Sequence, residues 1–558
     1  MPYEKRETFR ELLGRITGRF PDNPAIFYEG NTLSYKELFD KANWVAYGLY
    51  KLGVRKEDKV CVWMPNVPEW VISWWGIPML GATFVPIDHW YKIVEAEHIA
   101  NHSDAVALLV YHNFKTWNFL DILKEVKAEK LKHIIVVGNE DEAKEVGGMT
   151  FDQLLEMGKG WADNQDYLNE IKKVNPDDVA AILYTSGTTG NPKGVMLSHH
   201  QIIKNAYDQG ERMEISEKDR LVVPVPFSHC FGCVMSITML GSVGGAIAPL
   251  IAFDERDALD AVQRYKCTMI HGTPTMFLRE LKLFRSEKFD TSSLRTGIMA
   301  GAHCPEDLMR AVTEEMGPNM CITYGLTEAS PGITTTSLDD SIEDKVNTVG
   351  KVLPGVEAKI VDDNGKEVPP GTVGEIICRG YNVMKGYYKA PELTAEVIKD
   401  GWLYSGDLGF MDERGYITFK GRKKELVITG GFNVYPPDVE RFIREFDKVL
   451  DVAIIGAPDE DLGEVVAAAV IPAEGVKLDP QEIVDFCYGK IASPKVPRYV
   501  YITDHFPLSG RGKVQKYKLV EEVKQLIKES KLKKIIPTAV KMRKERAKNL
   551  LGNGSWKE

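Results

Sequence analysis

YTSGTTGNPKGVMLSH, residues 184–199, is a run of hydroxyls and glycines that ends on Lys193 and lies between two apolar stretches. The upstream stretch, 179–184, predicts a buried strand, and 195–197 predicts a second one. Ser198 followed by Gln201 fits a capping box that opens a helix. Main-chain amides freed by Gly187 and Gly190, the hydroxyls of Thr185, Ser186, Thr188 and Thr189, and the ammonium of Lys193 are what a polyphosphate needs. The pattern differs from the P-loop, which sets glycine directly before Lys-Ser/Thr and enters a helix at once. Here Asn191 and Pro192 precede the lysine and a strand follows. The stretch therefore predicts a phosphate cradle between two strands.

Working outward, short apolar runs at 59–64, 107–111, 133–137 and 268–271 alternate with helical patterns from about residue 20 to 420. Alternation of this kind implies largely parallel sheets covered on both faces by helices. Residues 355–380 change character, with turns at Asp363-Asn364-Gly365 and Pro369-Pro370-Gly371 between alternating strands. That is antiparallel, barrel-like material, placed at about 345–420. After GRKKEL at 421–426 the pattern predicts a helix over 437–446, strands over 449–456 and 465–472, and a helix over 480–491. This is a small α+β domain.

Bulk properties narrow the class. A chain of 558 residues exceeds one typical core. Its 44% apolar and 27% charged content is that of a globular enzyme, and its net charge of −10 argues against nucleic acid as a partner. The start, MPYEKRETFRELLGRI, is charged and helical in pattern with no apolar core, so a cytoplasmic location is expected. Residues 231–253 carry no charge, but Gly241, Gly244, Gly245 and Pro249 break them into a buried helix, a turn and a buried strand rather than a membrane span. The eight cysteines are scattered and read as reduced and structural. Cys230 and Cys233 after His229 raise a zinc or redox reading whose only further candidates are His303 and Cys304. Beyond 531 the chain is basic, which suits a solvated extension or a peripheral contact with anionic lipid or a partner.

Four motifs follow the glycine loop in order: YGLTEAS from Tyr324, YSGDLG from Tyr404, GRKKELVITGGFNVYPPDVE from Gly421, and PLSGRGKVQK from Pro507. With YTSGTTGNPKG the set resembles the AMP-forming acyl-CoA synthetase superfamily over about residues 20–525. The resemblance implies an α/β fold. A large adenylation domain, 1–421, would hold two helix-flanked sheets plus a small β-barrel, and a hinge at 422–426 would lead to a small mobile α+β domain at 427–530. A basic tail, 531–558, would follow.

The residues of each motif can be read on their own chemistry as well. Glu328 is a lone carboxylate among small residues, suited to Mg²⁺ that bridges phosphates, and the family's matching glutamate holds that metal. The turn at 412–415 would bring residue 407 opposite about 420, making Asp407 and Arg422 neighbours. A carboxylate for two ribose hydroxyls beside a guanidinium is a nucleoside grip, and the family pattern agrees. The resemblance further implies that Lys513 reaches the α-phosphate and the acid during adenylation, with Thr327 and Tyr324 beside the nucleotide. It implies that Lys424 is the hinge and that Gly430 and Gly431 help admit CoA. Lys516 departs from the arginine many relatives carry.

The implied reaction has two steps: a carboxylate attacks MgATP to give acyl-AMP and pyrophosphate, and CoA then displaces AMP. ATP, Mg²⁺, CoA and a small carboxylic acid are the expected ligands. Phe227-Ser228-His229 stands where amino-acid-activating relatives carry an aspartate, so no amine is expected on the acid. His229 resembles the family's gate beside the acyl tunnel, whose walls would include Ala300, Gly301, Ala302, Tyr324 and Gly325. The strings HGTPTMF (271–277), CRGYNVMKGYY (378–388) and GKVQKYKL (512–519) resemble medium-chain fatty acyl-CoA synthetases. An aryl or alicyclic acid ligase, or transfer to a carrier protein, stays open.

Overall fold

The computed structural model describes residues 5–115, 117–185, 192–302, 304–508 and 514–543. The predicted strands around the glycine loop are Val179–Thr185 and Lys193–Ser198. They form an antiparallel hairpin in which Thr185 faces Lys193 and Tyr184 faces Gly194. Gly194 is obligatory there, because a Cβ would stand 2.7 Å from Ile182 Cγ2. Ser198 and Gln201 make the expected capping box, opening the helix His199–Arg212.

This hairpin sits in an eight-stranded sheet that continues through Thr83–Ile87, Lys59–Trp63, Ala105–Tyr111 and His133–Val137 as parallel neighbours. A second sheet, of nine strands, has Arg220–Val223, Ala246–Pro249, Met269–Ile270, Thr296–Met299 and Asn319–Gly325 at its parallel centre. Residues of both sheets share one core with the helix Pro68–Met79, whose tryptophans Trp70, Trp74 and Trp75 are fully buried. A helix apolar on every side belongs between layers, and this one fills the space between the sheets.

The uncharged segment resolves as anticipated. Helical turns run from Cys230 to Val243, with a π-helical stretch at Cys233–Thr238, and Ala246–Pro249 is a central strand. Gly241 is needed because a Cβ would meet the Trp75 ring at 2.5 Å. Thr238 Oγ1 donates to Cys233 O (2.8 Å) and accepts Trp74 Nε1–H (3.0 Å), so the stretch is stitched into the core. Among the described residues no helix is long and apolar enough to cross a membrane.

The antiparallel unit comprises Val356–Val361, Gly374–Gly380, Ile398–Lys399, Trp402–Met411 and Ile417–Arg422, around its own core of Ile360, Ile376, Leu403 and Ile417. It is tied to the nine-stranded sheet by Val349 N–H donating to Ile417 O (2.7 Å). Gly386–Tyr387 leaves this unit and adds an edge strand beside Lys193–Ser198, pairing Tyr387 with Val195.

The smaller domain wraps helices on both faces of a sheet built on the long hairpin Val449–Asp459 and Gly463–Pro472. Alternate residues divide cleanly. Val452, Ile454, Val466 and Val470 meet the helices Pro436–Arg444 and Pro480–Cys487, while Ala453, Ile455, Ala467 and Ala469 meet Lys516–Lys528. The first residues beyond 531 are not a free extension. Ile535 packs on this core, Lys534 pairs with Asp459 at 2.6 Å, and Thr538 Oγ1 donates to Asp485 at 2.6 Å. Residues 544–558 lie outside the described residues.

Candidate active site

Strand ends of the nine-stranded sheet and the Asp407 hairpin enclose a cavity of about 230 Å³. Gly301, Ala302, Tyr324, Gly325, Asp407 and Arg422 line it, and Pro437, Asp438 and Arg441 of the small domain close one side. Gly301 follows the strand Thr296–Met299 with φ +88°, a left-handed conformation that suits glycine. Gly325 admits no side chain, because a Cβ would collide with Pro331 O.

Asp407 is paired directly with Arg422. Counting from the turn alone would set 407 opposite about 420. The turn is one residue longer, since Met411 faces Ile417, and a bulge between Leu408 and Gly409 adds another, bringing Arg422 into place. Tyr324 O–H donates to Asp407 Oδ2 at 2.9 Å. Burial pushes the Asp407 carboxyl up to about 6, against the opposing pull of the Tyr324 hydrogen bond and the Arg422 charge.

Thr327 and Glu328 lie on the 3₁₀ turn Thr327–Ala329, just past the end of the strand Asn319–Gly325. Tyr387 O–H donates to Glu328 Oε1 at 2.8 Å, and Lys193 Nζ lies 4.9 Å from the Tyr387 ring centroid. The edge strand thus joins Lys193, at the end of the glycine-rich stretch, to Glu328. One carboxylate is what a Mg²⁺ held mainly by nucleotide phosphates and water requires. His229 caps the turn Cys230–Gly232, its Nδ1 accepting Phe231 N–H at 3.1 Å. Cys230 Sγ stands 3.7 Å from Thr327 Oγ1, which links the predicted acyl gate to the YGLTEAS turn. Ala300 is buried.

Sequence reasoning gave no role to Tyr387, His98, His102 or Lys345. His102 Nδ1 meets Tyr184 O–H at 2.7 Å and His98 Nε2 meets Pro192 O at 3.2 Å, so one helix, Ile93–His102, touches both limbs of the glycine loop. Lys345 lines the cavity with Nζ donating to Asn319 Oδ1 at 2.5 Å, and burial lowers its pKa. These partners lie far from the motifs in sequence, and only Tyr387, inside CRGYNVMKGYY, stood in a string already singled out.

Lys424 is on the exposed turn Lys423–Glu425 between the two domains' sheets. Gly430 and Gly431 form the tip of the hairpin Val427–Thr429/Phe432–Val434, with φ +55° and +83°. Lys516 reaches Glu440 (2.7 Å) and Glu425 (3.4 Å). Ser186, Gly187, Thr188, Thr189, Gly190, His303 and Lys513 lie outside the described residues. All eight cysteines are buried free thiols, and burial raises Cys233 and Cys304 above the usual range. Among the described residues no three His, Cys, Asp or Glu side chains are grouped to hold a metal.

Comparison with known proteins identifies the family. The model of the AMP-binding enzyme family matches residues 15–388, and that of the AMP-binding enzyme C-terminal domain matches 438–513. A putative acyl-CoA synthetase, YngI, of Bacillus subtilis is 39% identical, covering 92% of this chain and 97% of its own. The mitochondrial medium-chain acyl-CoA ligase ACSF2 of Danio rerio is 35% identical, covering 93% and 88%. Among solved structures, the anthranilate CoA ligase AuaEII with anthranoyl-AMP superposes with a TM-score of 0.84 at 26% identity, covering 93% and 98%. ATP-bound MatB from Rhodopseudomonas palustris gives 0.80 at 30%, covering 93% and 100%. The chain belongs to the AMP-binding enzyme family, as an AMP-forming acyl-CoA synthetase that uses ATP, Mg²⁺ and CoA.

Proposed function

We propose that this synthetase activates a medium-chain fatty acid, and that Lys513, Glu328 and Thr327 carry the adenylation step. The acid's carboxylate attacks the α-phosphorus of MgATP and pyrophosphate leaves. The CoA thiol then attacks the acyl carbon and AMP leaves. Negative charge gathers as two anions meet, and a lysine ammonium on a glycine-flanked loop is suited to neutralise it. Glu328, held by Tyr387, would take the Mg²⁺ that arrives with ATP, and Thr185, Ser186, Gly187, Thr188, Thr189, Gly190 and Lys193 would bind the phosphates. Asp407 accepts the ribose hydroxyls with Arg422 beside it.

The observation that carries the acid class is the relative named medium-chain, 35% identical over nearly the whole chain. Small residues at Ala300, Gly301, Ala302 and Gly325 leave room for such a chain. An aryl acid is the second reading, favoured by the likeness to a ligase bound to anthranoyl-AMP. Pyrophosphate release across straight-chain, cyclic and aromatic acids separates the two. A maximum of kcat/KM at medium chain length supports the first reading, and a maximum on ring acids rejects it.

Lys424 as hinge and Gly430-Gly431 as the CoA-admitting tip belong to the same reading. A peripheral contact with anionic lipid or a partner is the reading offered for the basic stretch 531–558.

A further inference from the structure

Asn66 and Asp88 follow adjacent strands of the eight-stranded sheet, Lys59–Trp63 and Thr83–Ile87, yet both bond to a segment of the other sheet. That segment, 225–229, leaves the strand Arg220–Val223 and delivers His229. Asn66 Nδ2 donates to Val225 O at 2.9 Å, and Phe227 N–H donates to Asn66 Oδ1 at 2.8 Å. Ser228 Oγ donates to Asp88 Oδ2 at 3.2 Å. Asp88 is itself fixed by Trp90 N–H on Oδ1 (3.0 Å) and by Trp63 Nε1–H on its main-chain oxygen (3.2 Å). Asn66 and Asp88 are each 2% exposed.

A carboxylate in a protein interior is costly, and apolar packing would join two layers with less penalty. What buried polar groups add is a single fixed arrangement. Here the fixed object is the residue pair before His229, whose neighbour Cys230 touches Thr327. We propose that Asn66 and Asp88 are positioning residues of the acyl site, clamping 225–229 across the two sheets so that His229 meets the acid at a set place. The proposal rests on reading His229 as the acyl gate.

Ser228→Ala tests it by removing the donor to Asp88 Oδ2 while Trp90 N–H still holds Oδ1, and Ser228→Thr restores the hydroxyl. Acid-dependent acyl-AMP formation in Ser228→Ala should fall about 10-fold in kcat/KM for the acid, the scale of one charge-assisted hydrogen bond. Adenosine affinity should stay within about twofold, and Ser228→Thr should recover most of the loss. Wild-type acid kinetics in Ser228→Ala would overturn the clamp, as would an equal loss of adenosine affinity, which marks a general structural defect. His229→Ala run alongside separates the two claims. If it leaves acid kinetics unchanged while Ser228→Ala lowers them, the gate reading fails and takes with it the clamp's purpose of placing His229, leaving only an effect of 225–228 on the acyl site. Asp88→Asn, which keeps an acceptor for Ser228, should fold and behave nearer to wild type than Asp88→Ala; the reverse order would count against the clamp.

Discussion

Asp407 shows how the site shapes one residue against the interest of stability. Its carboxyl titrates at about 6, above the ordinary 3.8, because it is buried before any ribose arrives. A raised carboxyl favours folding on the acid side, and that contribution is lost as pH rises from about 4 through 6. At neutral pH the free enzyme therefore holds a disfavoured ionised group, and Asp407→Asn should stabilise it by about 1–3 kcal/mol in denaturant titrations. Ribose hydroxyls need the ionised form, so adenosine affinity in the wild type should fall about tenfold per pH unit below 6. In Asp407→Asn that acid limb should vanish along with most of the affinity. Tyr387 is the second test at this scale. Removing its hydroxyl in Tyr387→Phe frees Glu328 and should lower kcat/KM for MgATP by about 5- to 30-fold, with acid KM little changed. The Asp407–Arg422 pair was legible from the turn between them, whereas Tyr387 lies 59 residues from Glu328, and only the edge strand brings them together.

At the scale of elements, what the chain announces locally the structure repeats. The capping box, the hairpin turns and the alternating strands of the small domain are set by neighbours in sequence, so a reader of the chain finds them within about three residues. The bulge at Leu408/Gly409 was not legible, because its extra residue is absorbed by packing rather than signalled by composition. The hairpin around the phosphate loop carries its own prediction. In Gly194→Ala the added methyl meets Ile182 at 2.7 Å within a buried strand pair, and overpacking of this kind costs about 1–3 kcal/mol. Ile182→Val should recover part of that loss in thermal unfolding. No recovery would mean the strain sits in the backbone instead.

Over the whole molecule, two sheets share one core and the cavity opens at the boundary with the small domain. The ordered motifs made the fold class and the reaction readable. The partners that hold those motifs, Asn66, Asp88, His98 and His102, could not be seen, since they come from the opposite sheet or a separate helix. The domain arrangement predicts separable half-reactions. Lys424→Pro, which stiffens the exposed turn between the domains, should leave the acyl-AMP burst within about twofold while slowing thioester formation at least about tenfold. Lys513→Ala should do the opposite, abolishing acyl-AMP formation yet leaving most of the transfer from supplied acyl-AMP to CoA. Loss of both steps alike in Lys513→Ala would reject its assigned role. The most direct measurement follows the products of one incubation of the enzyme with MgATP, octanoate and CoA. Equal amounts of AMP, pyrophosphate and acyl-CoA are expected. Formation of ADP and phosphate, or thioester without AMP, would contradict the account.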